Sequence, residues 1–159
     1  MLIDELKNIA RNNGIVGAGG AGFPAYAKMT DKADTVILNC VECEPLLKLH
    51  RQLLATHTEE IIQMLDEVRE SFGAKEAVIG IKSEYVTTIK AVEEVLGDFP
   101  KVRICALKPA YPMGDEVVLI YEATGRVIQP GGLPIDEITF VPGTVYKCKD
   151  LSRAYDPVI

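Results

Sequence analysis

Long apolar runs are missing from this 159-residue chain. No stretch approaches the roughly 20 consecutive apolar residues that a bilayer-spanning helix needs. Met1-Leu2-Ile3-Asp4-Glu5 also lacks the basic start of a secretory signal. Cysteine is scarce: Cys40, Cys43, Cys105 and Cys148 are too few and too irregularly spaced for the disulfide framework of a small secreted domain. Basic runs are absent too, and a net charge of −6 with a pI near 5.0 would repel a phosphate backbone or an anionic lipid surface. The expectation is a protein of the cytosol without disulfides, membrane insertion or nucleic-acid partner. No internal repeat or low-complexity segment is visible, and the chain is too short for a second full domain.

What the chain does contain is 48% hydrophobic residues arranged with alternating periods. Leu2, Leu6 and Ile9 mark one face of an opening helix that stops at Asn12-Asn13-Gly14. Thr35 to Asn39 is a short β-branched run, so it reads as a buried strand. Thr56 with Glu59 forms a capping-box pattern ahead of Ile61, Leu65, Val68 and Phe72, and Gly73 supplies the stop. Ala77–Ile81 is the next strand, Tyr85–Leu96 the next helix, Val102–Leu107 a third strand and Gly114–Thr124 a further helix. Strands separated by helices of this length pair in parallel through right-handed crossovers. The expected fold is therefore α/β, a three-layer Rossmann-like domain with a mainly parallel sheet and helices on both faces.

Such sheets bind ligands beyond the carboxyl ends of their strands. Asn39, Glu42 and Glu44 follow the first strand, Lys82 the second, and Lys108, Tyr111, Gly114, Asp115 and Glu116 the third. Carboxylates in those positions accept hydrogen bonds from hydroxyl or amide groups, although Glu taken singly is more often plain surface charge.

Gly17-Ala18-Gly19-Gly20-Ala21-Gly22-Phe23-Pro24 packs four glycines into six positions, which lets bare backbone N–H groups approach a phosphate or a flat ring. It matches G-x-G-x-x-G formally, but a helix precedes it and a proline follows, so it lacks the strand–turn–helix setting of a dinucleotide fingerprint. A tight packing loop is the bland alternative. Lys28 lies close enough in sequence to neutralise a phosphate. Cys40 and Cys43 form a C-x-x-C, either a redox dithiol or half of a metal site whose second half is missing. His50 and His57 read as solvated.

Three separated motifs carry a family resemblance. Residues 17–24 with Lys28 resemble the FMN loop of the NADH-oxidising subunit of complex I and of Rnf complex C subunits. Asn39-Cys40-Val41-Glu42-Cys43-Glu44-Pro45 is similar to the family's Asn-Ala-x-Glu-x-Glu-Pro segment, at the matching distance from the first motif. Tyr111-Pro112-Met113-Gly114-Asp115-Glu116, then Ala123-Thr124-Gly125-Arg126 and Gly131-Gly132-Leu133-Pro134, resemble segments of the Rnf branch. Within that branch, residues 42–48 and 114–117 most resemble the flavoprotein associated with cobalamin reduction in propanediol utilisation.

The resemblance implies an FMN- and NADH-binding α/β domain over residues 1–136, followed by a divergent tail at 137–159 that lacks the family's Asn-x-Glu-Thr phosphate contact. It implies Gly17, Gly19, Gly20, Gly22, Phe23, Lys28, Asn39, Glu42, Glu44, Tyr111, Gly114 and Glu116 as cofactor-binding residues, with no acid–base catalyst and no metal ligand. FMN would take a hydride from NADH and pass electrons to a partner carrying iron–sulfur clusters or cobalamin, in a membrane-associated complex or a microcompartment. The NADH dehydrogenase-like domain would be incomplete alone, since the iron–sulfur motifs of longer relatives are missing. A partner-docking remnant of the same domain and a C-x-x-C thiol redox protein are the alternatives.

Overall fold

The computed structural model describes residues 1–16, 22–29, 31–44, 46–128 and, as backbone, 139–142. Four strands, β1 Thr35–Cys40, β2 Glu76–Lys82, β3 Val102–Leu107 and β4 Thr139–Pro142, form one parallel sheet in the order β3-β2-β1-β4. The helices are α1 Ile3–Asn12, α2 Leu49–Thr56, α3 Thr58–Phe72, α4 Val86–Leu96 and α5 Glu116–Thr124. The α/β expectation holds, and the predicted strands fall within a residue of their observed limits.

Alternation along the strands builds two cores. Val36, Leu38, Cys40, Ala77, Ile79 and Ile81 face Leu6, Leu54, Ile62, Leu65, Val68 and Val92 from α1–α4. Ile37, Val41, Val78 and Leu107 face Leu119, Ile120 and Ala123 from α5. Because β2 is covered on both sides, Ala77 to Ile81 are buried without a break, which is why this strand reads as a continuous apolar run. Truncating the fully buried Ile79 to Ala would cost about 2–5 kcal/mol.

One helix lies outside the expectation. Residues 49–56 form α2, and the chain breaks at His57 before α3 begins. The expected capping box does not form. Thr56 closes α2, with its hydroxyl donating to the Gln52 carbonyl at 2.9 Å, and α3 has no side-chain cap. The break rotates the pattern slightly, so Ile62 is fully buried whereas Ile61 is half-buried. His57 is exposed beside Glu60 at 3.5 Å, and His50 is half-buried.

The connections locate a crevice. From β1 the chain runs through α2 and α3 to β2, and then through α4 to β3, with these helices on one face. It next covers the opposite face with α5 and continues to β4 on the far side of β1. Strand order therefore reverses between β1 and β4, the position where a parallel α/β sheet opens beyond its carboxyl ends. The amino edge is locked by ion pairs instead. Arg126 holds Asp34 through two bonds of 2.7 and 2.6 Å. Arg103 holds Glu76 at 2.8 and 3.2 Å and donates to the Ala123 carbonyl.

Candidate functional site

The carboxyl end of β1 is fastened to the loop before α5. Asn39 Nδ2 donates to the Gly114 carbonyl at 3.1 Å, while its Oδ1 accepts the Val41 N–H at 3.0 Å. The Gly114 N–H in turn donates to Cys43 Sγ at 3.2 Å. A Cβ on Gly114 would lie 2.2 Å from the Val41 carbonyl oxygen and 2.8 Å from Cys43 Sγ, so the approach requires glycine. Among the described residues these bonds use one of the two Asn39 amide hydrogens and one of its two carbonyl lone pairs. Asp115 then starts α5 by accepting the Val117 and Val118 N–H groups at 3.0 and 3.3 Å.

Glu42 points the other way, into the layer of α2. Its Oε1 accepts the His50 N–H at 2.8 Å, in the first turn of α2, where Lys48 supplies no side-chain cap. A carboxylate there also meets the positive end of the helix dipole. Among the described residues the buried Oε2 has no hydrogen-bond partner, and Arg51 Nε lies 3.8 Å away. Arg51 is stacked over the buried Tyr85 ring at 4.5 Å, and Lys82 lies 5.9 Å from the same ring. Glu42 thus departs from the surface-charge reading of isolated glutamates, with 5% of it exposed. Glu44 and Glu116 are exposed.

Of the glycine loop, Gly17, Gly19 and Gly20 lie outside the described residues. Its two ends are pinned together by the antiparallel bridge Val16–Pro24 and by the Ala25 N–H donating to the Ile15 carbonyl at 2.9 Å. Gly22 adopts φ +69°, a conformation that side-chain-bearing residues rarely take. Lys28 lies 5.5 Å from the ring of Phe23, which is half exposed, and the 3-10 turn Ala25–Lys28 lies against β4. The loop's exit is therefore on the β4 side of the strand-order reversal. Tyr111 is exposed at the start of the Gly114 loop.

The two thiols of the C-x-x-C have separate roles. Cys40 is buried in the core under α1–α4, and burial, reinforced by the Glu42 charge, pushes its thiol up to about 12. Cys43 is engaged with Gly114, and both thiols are free. Among the described residues no three His, Cys, Asp or Glu side chains gather as metal ligands. Sequence reading missed the structural parts of Arg51, Tyr85 and Cys43. For Cys43 the local signal was the C-x-x-C spacing, which points to redox or metal chemistry rather than to a backbone N–H.

The model of the Nuo51 FMN-binding domain, the complex I 51K family, matches residues 10–146. The chain belongs to that family. This flavin domain is 36% identical over 151 residues to the cobalamin reductase PduS of Citrobacter freundii, covering 95% of the chain and 33% of the relative. It is 34% identical over 137 residues to a component of the Na(+)-translocating ferredoxin:NAD(+) oxidoreductase complex of Acetobacterium woodii, covering 84% of the chain and 31% of that component. The domain thus spans about a third of the length of these relatives. Its fold is shared with an NAD+-reducing nickel–iron hydrogenase in the air-oxidized state, with TM-score 0.69 and 23% identity over 96% of this chain and 30% of that one. No described helix is long and apolar enough to cross a membrane.

Proposed function

We propose that the chain holds FMN in the crevice beyond β1 and β4, receives a hydride there from NADH, and passes the electrons to a partner containing iron–sulfur clusters or cobalamin. The observation that carries this reading is the meeting of Asn39, Cys43 and the Gly114 loop at the carboxyl end of β1, at the reversal of strand order, in a chain of the Nuo51 FMN-binding family. The donor set suits the ligand. Lys28 offers a cation for the phosphate, and Glu44 and Glu116 offer exposed acceptors for ribityl or ribose hydroxyls.

FMN supplies hydride and electron-transfer chemistry when bound, and the chain's task is to hold, orient and shield it. The absence of side chains at Gly17, Gly19, Gly20 and Gly22 would allow backbone N–H groups to approach the ligand. Phe23 and Tyr111 present exposed aromatic faces. Asn39 would hold the polar edge of the ring through its second amide hydrogen, and its bond to the Gly114 carbonyl keeps the facing loop close to β1. Glu42 holds the start of α2 beside the site. No side chain is required as a general acid or base.

The names of the relatives support the two ends of the electron path. One belongs to a ferredoxin:NAD(+) oxidoreductase complex and the other is a cobalamin reductase. The reading places the chain on the cytoplasmic side of such an assembly, where NADH is available. Gly19→Val tests the loop. The variant should remain folded by circular dichroism yet lose FMN on gel filtration, and retained flavin would refute the assignment.

A further inference from the structure

Both polar groups of the Gly114 backbone are taken by side chains from the end of β1. Asn39 Nδ2 reaches its carbonyl at 3.1 Å and Cys43 Sγ accepts its N–H at 3.2 Å. The loop lies so close to the end of β1 that a Cβ on Gly114 would meet Val41 O at 2.2 Å, so only glycine fits there. Two side-chain hydrogen bonds therefore hold the loop against the end of β1. Asp115, the next residue, caps α5, so the same clamp sets where that helix begins. Tyr111 and Glu116 are carried on either side of it.

We infer that Cys43 is a positioning residue, whose sulfur holds the Gly114 N–H and thereby keeps Tyr111 and Glu116 in register with Asn39 and Glu44 across the crevice. The inference rests on the flavin reading for its effect on the reaction, but the clamp itself is a property of the apoprotein. It assigns the second thiol of the C-x-x-C to hydrogen bonding rather than to redox exchange. Its proposed partner Cys40 is buried in the core on the α1–α4 face, whereas Cys43 contacts the loop leading to α5. Sulfur is a weak acceptor, so its value lies in direction more than in strength. A hydroxyl at the same position keeps an acceptor, and a methyl group does not.

The test compares Cys43→Ser with Cys43→Ala in the full chain by three measurements: exchange of the Gly114 amide hydrogen, the rate of flavin bleaching by NADH at saturating FMN, and the urea midpoint. Serine should keep the Gly114 amide protected and the bleaching rate within about twofold of the parent. Alanine should speed that exchange at least tenfold. It should also slow bleaching by roughly ten- to a hundredfold, the scale of a misplaced contact near the reacting groups, with a urea midpoint close to that of the serine variant. Unchanged Gly114 exchange in Cys43→Ala would overturn the inference. So would faster exchange with an unaltered bleaching rate, or an alanine variant that does not fold, which would make Cys43 a stability residue. If the parent chain retains no FMN, the flavin reading fails by itself, and Gly114 exchange alone decides whether Cys43 holds the loop.

Discussion

Asn39 and Gly114, 75 positions apart in sequence, are joined by an Nδ2–carbonyl hydrogen bond of 3.1 Å at the mouth of the crevice. This bond links the strand that ends at the strand-order reversal to the loop that starts α5. It brings two of the three recognisable sequence motifs into contact. Substitutions at this junction should therefore affect stability and ligand binding together.

Gly114→Ala is the sharpest case. The added Cβ would lie 2.2 Å from a backbone oxygen, which cannot rotate away as a side chain can. Displacing the loop should cost about 1–3 kcal/mol, as overpacking does elsewhere. A lowered urea midpoint and weaker FMN retention are expected. Wild-type values for both would show that the loop is not held where the structure has it.

Glu42→Ala should act through α2. The variant removes the acceptor of the His50 N–H and leaves Arg51 without the buried carboxylate 3.8 Å away. Leaving a buried hydrogen-bonding group unmatched costs about 1–3 kcal/mol. Chemical denaturation should detect that loss, and faster amide exchange should be concentrated at the start of α2. A midpoint equal to the parent's would mean that Glu42 has no structural part at all.

Much of this arrangement was legible in the residues, and the failures have physical causes. Strands β1 to β3 were readable because β-branched runs bounded by polar residues have few alternatives. The second helix was missed because Leu49–Thr56 is only 8 residues long and its last residue, Thr56, reads as the start of the next helix. Thr56 resembles a helix start because serine and threonine favour caps, but its hydroxyl turns back onto its own helix. The grouping of Asn39 with Gly114 followed from topology, since one lies at the carboxyl end of β1 and the other beyond that of β3 in one parallel sheet. Burial of Glu42 did not follow, because it depends on the helix that the sequence concealed. Cys43 was legible only as half of a C-x-x-C, and its actual partner is a backbone N–H 71 positions away.

Acid should weaken the amino edge of the sheet. The Arg126 guanidinium bonded to Asp34 lowers that carboxyl below its ordinary value of 3.8, outweighing the opposing effect of burial. A carboxyl whose folded value is depressed contributes stability above its unfolded value and loses it as the pH falls toward the folded one. The Asp34–Arg126 contribution should thus be intact at neutral pH and decline below about 3.8. Asp34→Asn should show a smaller fall in urea midpoint between pH 5 and pH 3 than the parent. Equal falls would mean that the pair adds nothing to pH dependence.

The thiols should react unequally. Burial raises Cys40 to about 12, so it supplies almost no thiolate near neutrality and is shut off from reagents. Burial also raises Cys105, though Arg103 opposes the shift, and Cys105 is less deeply covered. Iodoacetamide labelling of the folded chain, mapped by mass spectrometry, should mark Cys105 and Cys43 well before Cys40. Mild oxidation should give no Cys40–Cys43 disulfide. Rapid formation of that bond would restore the dithiol reading.

The most direct test is an absorbance spectrum of the purified chain after incubation with FMN and removal of free ligand, followed by addition of NADH under anaerobic conditions. Flavin bands should be retained, and they should bleach when NADH is added. A folded chain that emerges colourless, or flavin bands that NADH leaves unchanged, would contradict the assignment of this chain as an NADH-reducible flavin domain.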